Sequence, residues 1–339
     1  MPGPLPRIVR WPHRRPSRPR RPAPRTARTG SADLPQRTGA VRQTPTTAPP
    51  RPGTRKTAPV EPTAPASEPV LRLAAVDLWR HTPRGRHTLL SGIDWEVRRG
   101  ERWALLGHNG AGKSTVLSLA GAVRHPSSGT VDILGRRLGR SDLRELRAEV
   151  GHVSAATRVP ERLTVRDYVL TGITGTVQPL PGRYGQAERK RALESLELMG
   201  LGPLAEQEML LCSQGEQSRA RIARALVPQP RLLLLDEPGA ALDLPSREQL
   251  IDALDTLAAE QPDLTMVLVT HHLEELPASF GHALLLRRGC TVARGTAVAT
   301  LTSDHLSTCF GLPLEVSRQD GRWQARLTAR RRPDARWSL

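Results

Sequence analysis

Gly107-His-Asn-Gly-Ala-Gly-Lys-Ser-Thr115 constrains this chain more than any other segment. From Gly107 to Ser114 it follows the spacing G-x-x-x-x-G-K-[ST]. The apolar run Arg102–Leu106, just after Gly100, reads as a strand, and a helix is expected from the loop through Leu119. Strand, glycine turn and helix in that order gather backbone N–H groups and a helix N-terminus around one point, a cradle for a phosphate chain. Lys113 is placed to reach the β- and γ-phosphates, and the Ser114 hydroxyl to ligate Mg²⁺. His108, Asn109, Gly110, Ala111, Gly112 and Thr115 complete the candidate phosphate contacts. Lysine is scarce here: Lys56, Lys113 and Lys190 are the only three among 50 Lys and Arg. A chain so biased to arginine still places a compact ammonium at this point, where a wide guanidinium is a poor substitute.

Arg231-Leu-Leu-Leu-Leu-Asp-Glu-Pro238 is an apolar strand that ends in two carboxylates. Asp236 is placed to hold Mg²⁺ through water. Glu237 is the candidate for polarising an attacking water.

Around these motifs the pattern is α/β. Leu71–Trp79, Thr88–Val97, Thr130–Leu134, Val150–Val153, Met266–Val269 and Ala283–Leu286 read as further strands. Helices are expected from Thr164, with Asp167 as a capping signal, and over Gln186–Met199, Glu216–Val227 and Ser246–Glu260. Apolar strands alternating with helices argue for a parallel core sheet. The stretch 157–212 interrupts that alternation and reads as a helical insertion.

Residues 1–69 have a different character. They hold fourteen of the 50 basic residues, three acidic ones and seventeen of the 31 prolines. About +11 of the net charge of +17 therefore sits in this segment. Such a composition buries too little apolar surface to offset its ordering entropy, so a disordered tail is expected, followed by one domain over 70–339. The arginines lack interleaved aromatics beyond Trp11, and nucleic acid is not an expected partner. No apolar run approaches the roughly 20 residues that span a bilayer, and the first residues do not read as a secretory signal. Cys212, Cys290 and Cys309 are scattered and odd in number, which suits a reducing setting; Cys290 and Cys309 read as small buried hydrophobes.

Phosphate loops occur in many ATPases and GTPases. The segment Cys212-Ser-Gln-Gly-Glu-Gln-Ser-Arg-Ala-Arg-Ile-Ala-Arg-Ala-Leu226, between the loop and the Asp-Glu strand, narrows the choice. It resembles the signature of ATP-binding cassette (ABC) proteins, usually written LSGGQ; Ser213 and Gly215 match, while Cys212, Gln214 and Glu216 depart. Gly239-Ala-Ala-Leu-Asp243 looks like the D-loop, with Ala241, Leu242 and Asp243 at its end. His271, after the strand Met266–Val269, looks like the switch histidine, and His272 is read as a neighbour without catalytic duty.

The resemblance covers roughly Val70 to Val292. It implies a P-loop NTPase cassette with a parallel core sheet, an antiparallel β subdomain and the helical insertion, with residues from about 294 to 339 as an extension. It implies a Mg²⁺-dependent ATPase whose signature, Ser213 to Glu216, binds ATP held by a second nucleotide-binding subunit, like or unlike. A separate transmembrane permease and a place on the inner face of the plasma membrane follow from the same likeness. A soluble ABC ATPase acting on a cytosolic complex is the alternative. Two departures matter. Ala155 stands near where the family has a glutamine that touches Mg²⁺ and couples to the membrane subunit. Arg80, flanked by Trp79, aligns with the aromatic that usually stacks on adenine; an arginine can stack on a purine as well.

Overall fold

The computed structural model describes residues 69–83, 85–155, 157 and 162–328. The expected tail, 1–69, lies outside these residues except for Pro69, which begins the first strand. The chain runs β1 (Pro69–Thr82), β2 (Gly85–Arg98), β3 (Arg102–Leu106), α1 (Lys113–Ala120), β4 (Ser128–Ile133), β5 (Arg136–Arg137), α2 (Leu143–Ala148) and β6 (Val150–Ser154). Then come α3 (Val165–Thr174), α4 (Gln186–Leu198), α5 (Gln214–Leu226), β7 (Leu232–Asp236), α6 (Leu244–Glu260) and β8 (Thr265–Thr270). The last elements are β9 (His282–Arg287), β10 (Cys290–Thr296), α7 (Ala297–Thr300), α8 (Ser303–Phe310), β11 (Leu314–Gln319) and β12 (Arg322–Leu327).

Three sheets result among the described residues. The central one has the order β10-β9-β3-β8-β7-β6. Its strands are parallel except for the antiparallel β9–β10 pair. A second, antiparallel sheet has the order β2-β1-β4-β5, and β11 and β12 form a hairpin of their own. The expected α/β cassette with a parallel core and an antiparallel subdomain is what the chain forms.

Alternate residues of the central strands enter two separate cores. Leu233, Leu235, Met266, Leu268, Ala283 and Leu285 pack with apolar side chains of α3, α4, α5 and α6. Leu232, Leu234, Val267, Val269, Leu284 and Leu286 pack with α1 and the antiparallel sheet, including Trp95, Ile93 and Leu71. This is why these strands read as unbroken aliphatic runs: a parallel sheet covered on both faces has no polar side.

Local chemistry sets the helix starts. The Thr164 hydroxyl accepts the Asp167 N–H at 3.1 Å, and Gly175 closes α3 with φ 67°. At α5 the Ser213 hydroxyl accepts the Glu216 N–H at 3.2 Å, while the Glu216 carboxylate accepts the Ser213 N–H at 2.7 Å. This reciprocal box satisfies two donors that the first turn leaves open. Asp243 caps α6, accepting the Ser246 N–H at 3.0 Å, and these bonds hold its carboxyl below the usual range.

Cys309 is buried as expected, and burial pushes its thiol up to about 11. Cys290 is exposed instead. It opens β10, the edge strand of the central sheet, which pairs with β9 alone among the described residues.

Candidate functional site

The parallel strands β3, β7 and β8 lie side by side and deliver the chemistry from their C-terminal ends. Ligands in open α/β sheets bind beyond these ends. Gly107 follows β3 with φ 156°, and a Cβ there would stand 2.3 Å from the Leu286 carbonyl oxygen of β9. Only glycine lets the loop leave the sheet so closely against its neighbour. Gly110 and Gly112 also have positive φ, 81° and 106°, which turns the loop into the start of α1.

Lys113, the first residue of α1, is 5% exposed. Its ammonium donates to the Gly107 oxygen at 2.8 Å and to the His108 oxygen at 3.3 Å, and it stands 3.6 Å from Glu237 Oε1. The next residue, Ser114, donates to Asp236 Oδ1 at 3.3 Å. Burial raises the Asp236 carboxyl above its usual range, with the neighbouring Glu237 adding to that and the Ser114 hydroxyl opposing it. Glu237 leaves β7 in the left-handed region, φ 49°, a conformation that costs a non-glycine residue about 1–3 kcal/mol. The turn is held by the Glu237 N–H donating to the Val269 oxygen at 3.0 Å. It aims the carboxylate back at Lys113 and at His271, whose Nδ1 donates to Oε1 at 3.2 Å.

An open cleft of about 810 Å³ lies over Lys113, Ser114, Asp236 and Glu237, with Gly107 and His271 outside its lining. Asn109, Gly110, Gly112, Lys113, Ser114 and Thr115 line it from the loop side, and Asp236 and Glu237 from the strand end. Its volume suits a nucleotide. Ser114 and Asp236 offer hard oxygen donors, one of them a carboxyl that burial raises above its usual range. That donor set fits Mg²⁺, which takes one or two protein oxygens and fills its octahedron with phosphate oxygens and water.

The remaining expected residues fall in different places. His108 is exposed and Ala111 is buried behind the loop, its N–H on the His108 oxygen at 3.1 Å; neither lines the cleft. His272 is exposed, with its ring 4.1 Å from that of His271. Ser154 and Ala155 line the cleft near the family's glutamine position, with Ser154 opposite Asp236 in the β6–β7 register. Arg80 is exposed and does not line the cleft, and the face of Trp79 is covered by Arg86, 3.6 Å from the ring. His87, the cross-strand partner of Arg80, lines it instead, with Thr88 and Leu89.

Arg288 and Gly289 form another wall that the sequence did not reveal. Gly289 donates to the Ala111 oxygen and accepts from the Ser91 N–H, both at 2.9 Å, tying this turn to the loop and to β2. The signal that existed was a glycine in a strand-to-strand turn, which is too common to mark a site.

Ser213, Gln214, Gly215 and Glu216 are absent from the cleft lining, as are Ala241, Leu242 and Asp243. Gly215 packs tightly on α6, where an added Cβ would meet Ser246 Cβ at 2.6 Å. Ser213 and Gln214 at the N-terminus of α5 are exposed.

A glycine phosphate loop, a strand-end Asp-Glu pair and a histidine on the adjoining parallel strand define a P-loop nucleoside triphosphate hydrolase. The comparisons with known proteins narrow that class. Residues 90–240 match the ABC transporter family. An uncharacterized ABC transporter ATP-binding protein of Bacillus subtilis (strain 168) is 36% identical, over 67% of this chain and 87% of its own. A phosphonates import ATP-binding protein of Pseudomonas aeruginosa is 35% identical, over 66% of this chain and 82% of its own. Among solved structures, a dimeric ATP-binding cassette in a post-hydrolysis state, bound to ADP and phosphate, aligns with TM-score 0.59 and 27% identity, covering 67% of this chain and 98% of that one. The chain belongs to the ABC transporter family, as an ATP-binding, ATP-hydrolysing cassette.

Proposed function

We propose that the cleft binds ATP with Mg²⁺ and that two such cassettes close over two nucleotides to drive a separate membrane permease. The observation that carries this reading is that Lys113, Ser114, Asp236 and Glu237 line one cleft, with Ser114–Asp236 and Lys113–Glu237 at 3.3 and 3.6 Å, while His271, outside that lining, meets Glu237 at 3.2 Å.

Each side chain then has a task. The loop N–H groups and Lys113 hold the β- and γ-phosphates, and Lys113 exchanges its carbonyl partners for phosphate oxygens. Ser114 and Asp236, 3.3 Å apart, would hold the metal. Bound there, Mg²⁺ would supply positive charge against the phosphate chain. Glu237 accepts a hydrogen bond from the attacking water and orients it toward the γ-phosphorus. With Nδ1 of His271 engaged by Glu237 at 3.2 Å, its other ring nitrogen is left for the γ-phosphate side. A half-buried carboxylate between an ammonium and an imidazole is well prepared for that work.

The second subunit, a like or unlike cassette, supplies what this cleft lacks. The exposed N-terminus of α5, with Ser213, Gln214 and the Gly215 N–H, is an anion site of the right chemistry for the γ-phosphate of the opposing nucleotide. Glu216, already engaged in its capping box, keeps that end rigid. Ala241, Leu242 and Asp243 lie between the two sites in such a pair. The ADP- and phosphate-bound dimeric cassette among the similar structures supports this arrangement. Among the described residues no helix is long and apolar enough to cross a membrane. The relatives named as import ATP-binding proteins support a transport role worked through a separate permease, with this subunit on its cytoplasmic face.

Glu237→Gln tests the reading. The variant should bind ATP yet hydrolyse it too slowly to reopen, so Mg-ATP should shift it to a dimer in sedimentation or light scattering. A variant that stays monomeric at saturating Mg-ATP refutes the paired arrangement.

A further inference from the structure

The hairpin β11–β12 follows the central sheet, beyond the residues that the family match covers. Trp323 anchors it, 7% exposed within the core on the α3–α6 side. Next to this anchor, Arg322 reaches two elements at once. Its Nη1 donates to Glu248 Oε2 at 2.8 Å, and its Nη2 donates to Glu248 Oε1 at 3.3 Å and to the backbone oxygen of Glu274 at 2.6 Å. Glu248 stands early in α6, the helix capped by the D-loop residue Asp243. The same guanidinium holds the Glu248 carboxyl below its usual range.

Glu274 lies in the short turn Leu273–Glu275 directly behind the histidine pair. A second series of contacts leads from that turn to the site. The carboxylate of Glu275 accepts a short hydrogen bond from the Thr270 hydroxyl. Thr270 Oγ1 in turn accepts the His272 N–H at 3.0 Å. On its other side the Glu275 carboxylate abuts Gly239, where a Cβ would come within 3.1 Å of it. His271, between Thr270 and His272, meets Glu237 at 3.2 Å.

We propose that Arg322 is a positioning residue for ATP hydrolysis. The hairpin is a brace: its guanidinium fork fixes the start of α6 against the turn behind His271, and so sets the His271–Glu237 contact. This rests on the reading of His271 as a catalytic group. The fork matters because one planar cation bridges a carboxylate and a carbonyl in fixed geometry, which the point charge of a lysine does not reproduce.

The test is steady-state Mg-ATPase kinetics on the full chain. Arg322→Ala and Arg322→Lys should each lower kcat roughly five- to tenfold, the range of coupling between residues in one network, with KM for ATP unchanged. Glu248→Gln, with Arg322 intact, should show a smaller loss. Arg326→Ala, which breaks the hairpin's own ion pair with Glu315 at 2.9 Å, should leave activity unchanged. The decisive variant is the double one. If Arg322 acts through His271, then His271→Ala/Arg322→Ala is no slower than His271→Ala alone.

Additive losses, an Arg322→Ala kcat equal to wild type, or an equal loss in Arg326→Ala would each overturn the brace. If His271→Ala itself is fully active, the site reading falls and the brace with it. A crippled His271→Ala beside a fully active Arg322→Ala overturns the brace alone.

Discussion

Gly107→Ala is the sharpest test of the phosphate cradle, because two separate costs follow from the geometry. The first is conformational: φ 156° lies where side chains are strained, about 1–3 kcal/mol. The second is steric. The new Cβ would stand 2.3 Å from the Leu286 oxygen and 3.0 Å from Ala111 Cβ. The first of these atoms is backbone of a central strand and cannot rotate away, so overpacking adds about 1–3 kcal/mol. A total near 3–4 kcal/mol lowers Tm by roughly 10 °C for a domain of this size. Gly110→Ala is the internal control. Its φ is 81° but nothing lies within 4 Å of the added Cβ, so it bears only the backbone cost, about 1–2 kcal/mol. Thermal unfolding with and without ATP measures both. Wild type should gain about 2.7 kcal/mol with ATP at a hundred times Kd, and Gly107→Ala should lose that gain because its loop N–H groups are displaced. If Gly110→Ala is as destabilised as Gly107→Ala, the contact with β9 does not shape the loop and the reasoning fails.

Removing the imidazole in His271→Ala should cost kcat about a hundredfold or more, the usual loss for one transition-state donor; phosphate-release rates check it, and an unchanged kcat removes His271 from the site. Asp236→Asn should stabilise the nucleotide-free protein. Burial raises this carboxyl in the folded state, so its ionised form opposes folding, with no penalty below the unfolded value of about 3.9 and the full penalty above the raised folded one. The gain in Tm should therefore be present at pH 7 and vanish as pH falls below 4, while Mg-ATPase activity is lost. Arg288 lines the cleft and makes no ion pair or hydrogen bond among the described residues. Arg288→Ala should raise KM for ATP several-fold with kcat unchanged, as expected for a group that binds ground and transition states alike; an unchanged KM removes it from the nucleotide wall.

Much of the fold could be read in advance where one physical signal dominated. The aliphatic strands β3, β7, β8 and β9 were found to within a residue or two because burial on both faces leaves no polar interruption. Thr164 marked a helix start because N-capping has few chemical solutions. The loop and the Asp-Glu strand were legible as residue types; their contacts were not, since Glu237 meets His271 only through a left-handed turn. Other elements had weak signals. In α2 only Leu146 is buried, and β10 is an edge strand of half-exposed residues. The hairpin β11–β12 carries mostly exposed polar side chains and rests on Trp323. Cross-strand geometry was also out of reach. Repeated register shifts in the β1–β2 pair, between Leu73 and Trp79, decide that Arg80 stands opposite His87, and it is His87 that lines the cleft.

The division of β7 between two cores has a bearing on how such a molecule tolerates change. Leu232 and Leu234 look one way, Leu233 and Leu235 the other, and Asp236 ends the same strand. A hole opened beneath one face by Leu234→Ala has no side-chain route to the opposite lobe; only the shared main chain joins them. Each lobe is thus at liberty to drift under its own constraints, while a single hydrogen-bonded ribbon keeps Asp236 at its station.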